Sequence, residues 1–171
     1  MTKWNAYTLT RVAVVAALYV VLTFVCAPLA FREVQFRFSE VLLLLCFYDR
    51  RYCWSLVIGC ALANLFFSPF GLIDVVVGTF ATLLTVLAIS RCKRLLTASL
   101  FATLFCLIIS LEIFLLAGAP YLLPVFLGIT ATVLAGEFIV VTVIGVPLFK
   151  LLERNQGFMR LIAPGRAPRQ A

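Results

Sequence analysis

The feature that most constrains the fold of this chain is a series of long apolar stretches separated by short polar connections. Hydrophobic residues make up 64% of the 171 positions, and charged residues only 12%. A soluble domain of this length cannot bury so much apolar surface in one core, whereas a helix that crosses a bilayer needs about 20 apolar residues. We therefore predict an all-α integral membrane protein with six transmembrane helices.

The positions of the apolar stretches give the expected helices. They lie at about residues 12–31, 39–48, 52–67, 72–90, 97–116 and 124–153. The first stretch has the length of a full span and is too long for the core of a signal peptide, which is the alternative. The last exceeds what a span needs, so we expect it to project or to bend near Gly145 and Pro147. Residues 1–156 then form the membrane domain, and the basic, Pro-rich residues 157–171 are expected to be a disordered tail.

The second helix is much shorter than the others. At about 1.5 Å per residue it covers roughly 15 Å, half of a hydrocarbon core of about 30 Å. The preceding loop, which begins at Pro28, must then enter the membrane to complete the crossing. Irregular backbone at that depth requires a protein cover or a water-filled cavity. The loop is therefore expected to form a wall of a binding pocket.

The basic residues predict the orientation of the helices. Of the 14 basic residues, all but Arg32 and Arg37 lie at the two chain ends, in the connection at residues 49–51 or in the connection at residues 91–94. The positive-inside rule makes those segments and both termini cytoplasmic. The net charge of +7 is therefore a topology signal, and no nucleic-acid partner is expected. The chain has no histidine, and its six cysteines lie mostly within apolar stretches, so we predict no metal site and no cofactor.

Polar side chains within the expected spans cluster toward the outer side. They are Glu40, Asn64, Asp74, Glu112 and, near the middle of the membrane, Glu137. An acid at the bilayer centre costs about 2.5 to 3.5 kcal/mol, so such residues face a bundle interior or an aqueous cavity. We expect them to line a pocket that opens outward. The alternative is a set of structural pairs, such as Glu40 with Arg37 and Glu112 with Arg32.

The chemistry of this pocket favours a planar cation. Carboxylates accept paired N–H donors and bind ammonium groups. Phe36 and Phe38 are candidates for stacking on a ring, and Arg37 either holds Glu40 in place or contacts a ligand carbonyl.

Nothing in the sequence supplies energy for transport. The chain has no phosphate-binding Gly-rich loop and no Walker-type lysine, so another subunit has to provide it. Ala13 and Ala17 form a small-x-x-x-small pattern on the first helix, which lets another membrane helix approach closely.

Several of these segments resemble the QueT family. They are VQFRFSE at 34–40, ANL at 63–65, PFGLIDVVVG at 69–78, ATLL at 81–84, Gly136 with Glu137, and Gly145 with Pro147. Members are substrate-binding (S) components of energy-coupling-factor (ECF) transporters, proposed to import queuosine precursors. The resemblance implies a six-helix bundle with an extracytoplasmic site for a 7-deazaguanine, such as 7-aminomethyl-7-deazaguanine. It also implies that the alanine motif docks a transmembrane coupling protein, that two cytoplasmic ATPases supply the energy, and that the chain is not an enzyme.

Three alternatives remain at this point. The chain is an S component for another vitamin-like ligand, an intramembrane enzyme that uses Glu112 and Glu137 as acid and base, or a structural subunit with buried ion pairs.

Overall fold

The computed structural model describes residues 5–27, 36–116, 118 and 122–164. All regular structure within these residues is helical, as expected. In chain order the helices are α1 (Ala6–Val25), α2 (Phe38–Tyr48), α3 (Tyr52–Phe67), α4 (Leu72–Ile89), α5 (Leu95–Leu116), α6 (Leu123–Glu153) and α7 (Gln156–Ile162).

Four helices, α1, α4, α5 and α6, are long and apolar enough to cross a membrane. Helices α2 and α3 are apolar but shorter, so six crossings stay a prediction. Large apolar side chains cover the outer surface of the bundle, among them Val14, Phe80, Leu104 and Leu127, each more than half exposed. Such a surface is stable in lipid and prone to association in water.

Helix α2 is longer in space than its residue count predicts. Its first seven residues, Phe38–Leu44, form a 3₁₀ helix, and only Leu45–Tyr48 are α-helical. A 3₁₀ helix rises about 2.0 Å per residue, so α2 covers about 20 Å rather than the roughly 15 Å expected for a shorter α-helix. The membrane-entering loop that was expected before it lies, for residues 28–35, outside the described residues.

Helix α1 begins and ends earlier than expected. The Asn5 side chain accepts a hydrogen bond from the Thr8 amide at 2.8 Å and caps the helix, so a polar turn precedes the apolar stretch. At the other end Cys26 closes the helix, two residues before Pro28, where irregular backbone was expected to begin. The helix ends before the apolar run does, because a proline such as Pro28 disfavours helical backbone at the residue that precedes it.

Helix α6 changes its hydrogen-bonding pattern in the region where a bend was expected. The segment Phe138–Gly145 is π-helical, and Val146–Glu153 is again α-helical with Pro147 in its first turn. Proline has no backbone N–H, so the series of hydrogen bonds within α6 is interrupted at this position. A Cβ on Gly145 would lie 3.1 Å from Leu44 Cδ1, so the glycine allows α2 to pack closely against α6.

The prediction of a disordered tail at residues 157–171 is wrong for the first part of that segment. Residues Gln156–Ile162 form α7, capped by the Asn155 side chain, which accepts from the Phe158 amide at 3.1 Å. Arg11 of α1 donates to the carbonyls of Leu161 at 2.7 Å and Ile162 at 3.4 Å. Proline and arginine content indicated disorder, but this capped helix is held by a contact that is distant in sequence. Residues 165–171 lie outside the described residues.

Basic connections gather at one end of the bundle. Arg11 lies 4.0 Å from Asp49, whose carboxylate also accepts from the guanidinium of Arg51 at 2.6 Å. Arg50 donates to the carbonyl of Ser90 at the end of α4 at 3.2 Å. Burial alone would raise the pKa of Asp49, but hydrogen bonds from the Arg51 side chain and backbone N–H outweigh it and hold the pKa below its ordinary value of 3.8.

Helices α1 and α3 approach closely at a glycine. A Cβ on Gly59 would lie 3.0 Å from the Cβ of Tyr19 and 3.2 Å from the carbonyl oxygen of Ala16. Tyr19 belongs to the main apolar core, which is built around α2 and α3. The missing side chain therefore sets the position of α1 against the core.

We expect Gly59→Val to lower the thermal unfolding midpoint of the full-length protein in detergent. The added side chain overpacks the α1–α3 contact, which costs about 1–3 kcal/mol. Gly128→Val in α6 is the matched control, because a Cβ there meets no atom within 4 Å. Equal midpoints for the two variants would contradict the close approach.

The contacts of Asp49 with Arg51 and Arg11 predict that the stability of the protein depends on pH. Because the pKa of Asp49 is lowered on folding, its contribution to stability is complete above the ordinary carboxyl value and is lost as the pH falls through the folded value. We expect Asp49→Asn to be less stable than the wild type at pH 7, with a difference that shrinks below about pH 4. Thermal unfolding across this pH range measures it, and a difference that grows on acidification contradicts the assignment.

Candidate ligand-binding site

The amino-terminal part of α2 meets α4, α5 and α6 around a small cavity. Its lining residues are Arg37, Glu40, Leu43, Gly78, Ala81, Thr82, Thr85, Ala102, Phe105, Cys106, Ile109 and Glu137. The cavity volume is about 20 Å³, which accommodates about one water molecule and no purine-sized ring. Any ring-shaped ligand therefore requires side chains to move.

Glu40 is held at the start of α2 by α1. The Tyr19 hydroxyl donates to Glu40 Oε1 at 2.7 Å, and both side chains are buried. One turn along α1, the Thr23 hydroxyl bonds that of Ser39 at 2.9 Å. These two bonds fix the start of a 3₁₀ helix that no side chain of its own caps. The carboxylate is thus directed at the cavity and keeps one oxygen outside the tyrosine bond.

Arg37 forms its ion pair across the site and not with its sequence neighbour. Its guanidinium lies 3.8 Å from Asp74 on α4. The Asn64 amide donates to the backbone carbonyl of Asp74 at 3.0 Å. This bond depends on Gly78, since a Cβ at that position would collide with the Asn64 amide. The alternative pair of Glu40 with Arg37 is not formed as an ion pair: Glu40 bonds Tyr19 and Arg37 pairs with Asp74, although Arg37 still attracts Glu40 electrostatically.

Glu112 and Glu137 complete the group of acids. Glu112 interacts electrostatically with Asp74 and Arg37, but neither of its oxygens has a hydrogen-bond donor within the described part of the chain. Glu137 ends the α-helical part of α6 and interacts with Glu40, Arg37 and Cys106. The expected partner of Glu112, Arg32, lies outside the described residues.

These contacts bring five of the predicted side chains together. Four buried carboxyl groups lie within electrostatic range of the guanidinium of Arg37, and Asp74 is its ion-pair partner. We call the group of Arg37, Glu40, Asp74, Glu112 and Glu137 the acid cluster. Asn64 supports it through Asp74. Buried carboxylates in this excess require protons, hydrogen-bond donors or an added cation. The cluster is therefore suited to a cationic ligand rich in N–H groups.

The two phenylalanines of the predicted site lie beside the cavity and do not line it. The rings of Phe36 and Phe38 are stacked on each other, with centroids 6.5 Å apart, and both pack against the apolar core. Their stacking on a ligand ring remains a prediction.

Several residues in and around the cavity escaped the sequence analysis. Tyr19 and Thr23 could have been noticed as hydroxyl groups within an otherwise apolar helix. On α4, Gly78, Thr82 and Thr85 follow the predicted Asp74 at intervals of three or four residues, which places small and polar groups on one helical face. Cys106 was interpreted as an apolar filler but lines the cavity beside Glu137.

Comparisons with known proteins identify the family of the chain. The family model described as the QueT transporter matches residues 9–154. The queuosine precursor transporter QueT of Lactococcus lactis subsp. cremoris (strain MG1363) is 35% identical to the chain, over 81% of this chain and 93% of the relative. No solved structure matches. Together with the four long apolar helices, these matches indicate a multi-pass membrane protein with a role in transport, which is consistent with a protein that is not an enzyme. The chain belongs to the QueT transporter family.

Proposed function

We propose that this protein is the substrate-binding membrane subunit of an ECF-type importer, and that the acid cluster binds its ligand. The observation that carries the proposal is the gathering of four buried carboxyl groups around one guanidinium, on helices with apolar outer faces. A purely structural role needs as many partners as charges. Within the described residues, the partners of these acids are the guanidinium of Arg37, the hydroxyl of Tyr19 and the weakly polar thiol of Cys106.

The ligand we propose is a queuosine precursor, specifically a 7-deazaguanine such as 7-aminomethyl-7-deazaguanine. The relative from Lactococcus lactis is named for transport of queuosine precursors. An amino-pyrimidinone edge presents parallel N–H donors that suit a carboxylate, and an aminomethyl group adds a cation. Glu112, with two oxygens that lack donors, is suited to the amine, and Glu40 and Glu137 are suited to the ring.

Arg37 has a particular place in this proposal. Its guanidinium is a planar group with several N–H donors and a positive charge, and it lies among the acids that the ligand would contact. A cavity of about 20 Å³ cannot admit the ligand while Arg37 stays in this position. We therefore expect ligand entry to displace Arg37 from Asp74, with Phe36 and Phe38 moving because they flank it in sequence.

The remaining features concern topology and partners. We propose six crossings in the bacterial cell membrane with both termini cytoplasmic. This is supported by the contacts of Arg11 with Asp49 and with the end of α7, which put the start of α1, the α2–α3 connection and α7 at one end of the bundle. Ala13 and Ala17 are both exposed on α1, as a docking surface for a transmembrane coupling protein requires. Two cytoplasmic ATPases complete the proposed importer.

We expect Glu40→Gln and Glu137→Gln each to raise the Kd for 7-aminomethyl-7-deazaguanine at least about tenfold. A hydrogen bond to a charged group contributes about 1.5–3 kcal/mol, and about 1.4 kcal/mol corresponds to a factor of ten. Isothermal titration of the purified protein measures the Kd.

Glu153→Gln is the matched control for these variants. Glu153 lies at the other end of α6, is exposed and accepts a hydrogen bond from Tyr48 at 3.0 Å. Its Kd should equal that of the wild type. The absence of wild-type binding to any deazaguanine would reject this ligand class, and unchanged Kd values in the two cavity variants would reject the site.

If Ala13 and Ala17 form the docking surface, variants at these positions should impair transport without changing ligand binding. We expect the double variant Ala13→Leu with Ala17→Leu to keep the wild-type Kd but to lose cellular uptake of the ligand, because larger side chains hold a partner helix away. Val21→Leu, at another exposed position of α1, should preserve both. Normal uptake by the alanine double variant would place the coupling surface elsewhere.

A further inference from the structure

A second concave site lies at the other end of the bundle, between the start of α3 and the end of α4. We call it the basic groove. Two arginines, Arg50 and Arg91, stand at one side of it, and its walls include Trp54, Val57, Leu83 and Leu87. Its volume is about 230 Å³, far larger than the cavity at the acid cluster.

The two arginines are held in place but keep most of their donors. Arg50 uses Nε for the carbonyl of Ser90 at 3.2 Å, and Arg91 uses Nη1 for the carbonyl of Leu87 at 2.8 Å. A guanidinium has five N–H donors. The other N–H groups of both side chains are therefore available on the exposed side of the groove, where both residues lie.

No acid neutralises this pair among the described residues. Asp49 is next to Arg50 in the chain, but its carboxylate is bound by Arg51 at 2.6 Å and faces Arg11 at 4.0 Å. Among the residues that the structure describes, no carboxylate lines the groove. The two guanidinium groups thus form a site for an anion, and a phosphate that bridges both can accept bidentate hydrogen bonds.

The rest of the groove is apolar and follows the helices toward the middle of the bilayer. Leu83 and Leu87 lie one turn apart on α4, one above the other, and are 37% and 39% exposed. Trp54 is 61% exposed beside them, at the level where α4 ends. Tryptophan is enriched at that level of membrane proteins, where lipid headgroups meet the hydrocarbon.

We propose that the basic groove binds one anionic phospholipid, with its phosphate between Arg50 and Arg91 and an acyl chain along Val57, Leu83 and Leu87. The position favours a lipid over a free phosphate, because the apolar walls continue from the arginines along a span of the membrane. The charge favours an anionic headgroup over a zwitterionic one, because the groove has two cations and no acid to pair with a choline or an ethanolamine. This site is separate from the acid cluster and does not depend on the proposed ligand.

The test is native mass spectrometry of the full-length protein in detergent, titrated with phosphatidylglycerol or with phosphatidylcholine of the same acyl chains. We expect one phosphatidylglycerol to bind more tightly than phosphatidylcholine. Because each basic residue near a lipid surface strengthens the attraction to an anionic headgroup, the double variant Arg50→Gln with Arg91→Gln should weaken phosphatidylglycerol binding at least about tenfold.

Two further variants distinguish binding of the lipid in the groove from a general attraction to the positive charge of the protein. Lys93→Gln with Arg94→Gln removes the same charge from exposed positions in the neighbouring connection, and it should leave binding within about twofold of wild type. Trp54→Ala, at an exposed position, should weaken binding several-fold because a wall for the lipid is lost.

Inorganic phosphate distinguishes the two sources of the anion. Millimolar phosphate should not displace the lipid. Displacement by phosphate together with an unaffected Trp54→Ala variant would indicate a soluble phosphate site and overturn the proposal. Equal affinity for both lipids, or an equal loss in the Lys93 and Arg94 control, would overturn it as well.

Discussion

The cost of placing carboxyl groups inside an apolar bundle governs this structure. Transfer of an isolated charge to a medium of low dielectric costs several kcal/mol even after the protein relaxes, and attraction to a partner offsets this only with close geometry and further hydrogen bonds. Arg37 lies 3.8 Å from Asp74, and Tyr19 donates to Glu40 at 2.7 Å. These two contacts serve two acids, while Glu112 has no donor within the described residues. Within the described residues the acids thus outnumber the groups that compensate them, which is the basis for the proposal that a cationic ligand with N–H groups binds here.

The elements around the acids are arranged to permit this concentration of charge. The 3₁₀ start of α2 brings Glu40 to the cavity, α1 fixes it through Tyr19 and Thr23, and Gly78 leaves room for Asn64 beside Asp74. Close approach of α1 to α3 at Gly59 places Tyr19 within reach of Glu40. Small residues therefore stabilise the contacts between these helices. In lipid, helices are held together mainly by close packing of their backbones, which small side chains allow.

Much of the fold was predictable because apolar length and Gly or Pro punctuation are local signals. The boundaries of α3 and α4 and the break within α6 near Gly145 follow from them. The clustering of the acidic side chains was also predictable, since a carboxyl group in an apolar run avoids lipid by facing the interior of the bundle. Their role in ligand binding stays a prediction. The pairing of the charges was not predictable from the sequence. Arg37 has Glu40 three residues away, but its ion pair is with Asp74, which only the tertiary fold brings near. Helix α7 escaped for the same reason, because its contact with Arg11 spans 150 positions.

That contact between Arg11 and the carbonyl groups of α7 has a consequence for how the protein is made. Arg11 is synthesised near the start, and the carbonyls that receive its hydrogen bonds follow about 150 residues later. The first helix therefore enters the membrane with a basic side chain whose native acceptors do not yet exist. Until α7 has been made, the Arg11 side chain lacks these two acceptors. The native arrangement at this end of the bundle therefore forms late in assembly.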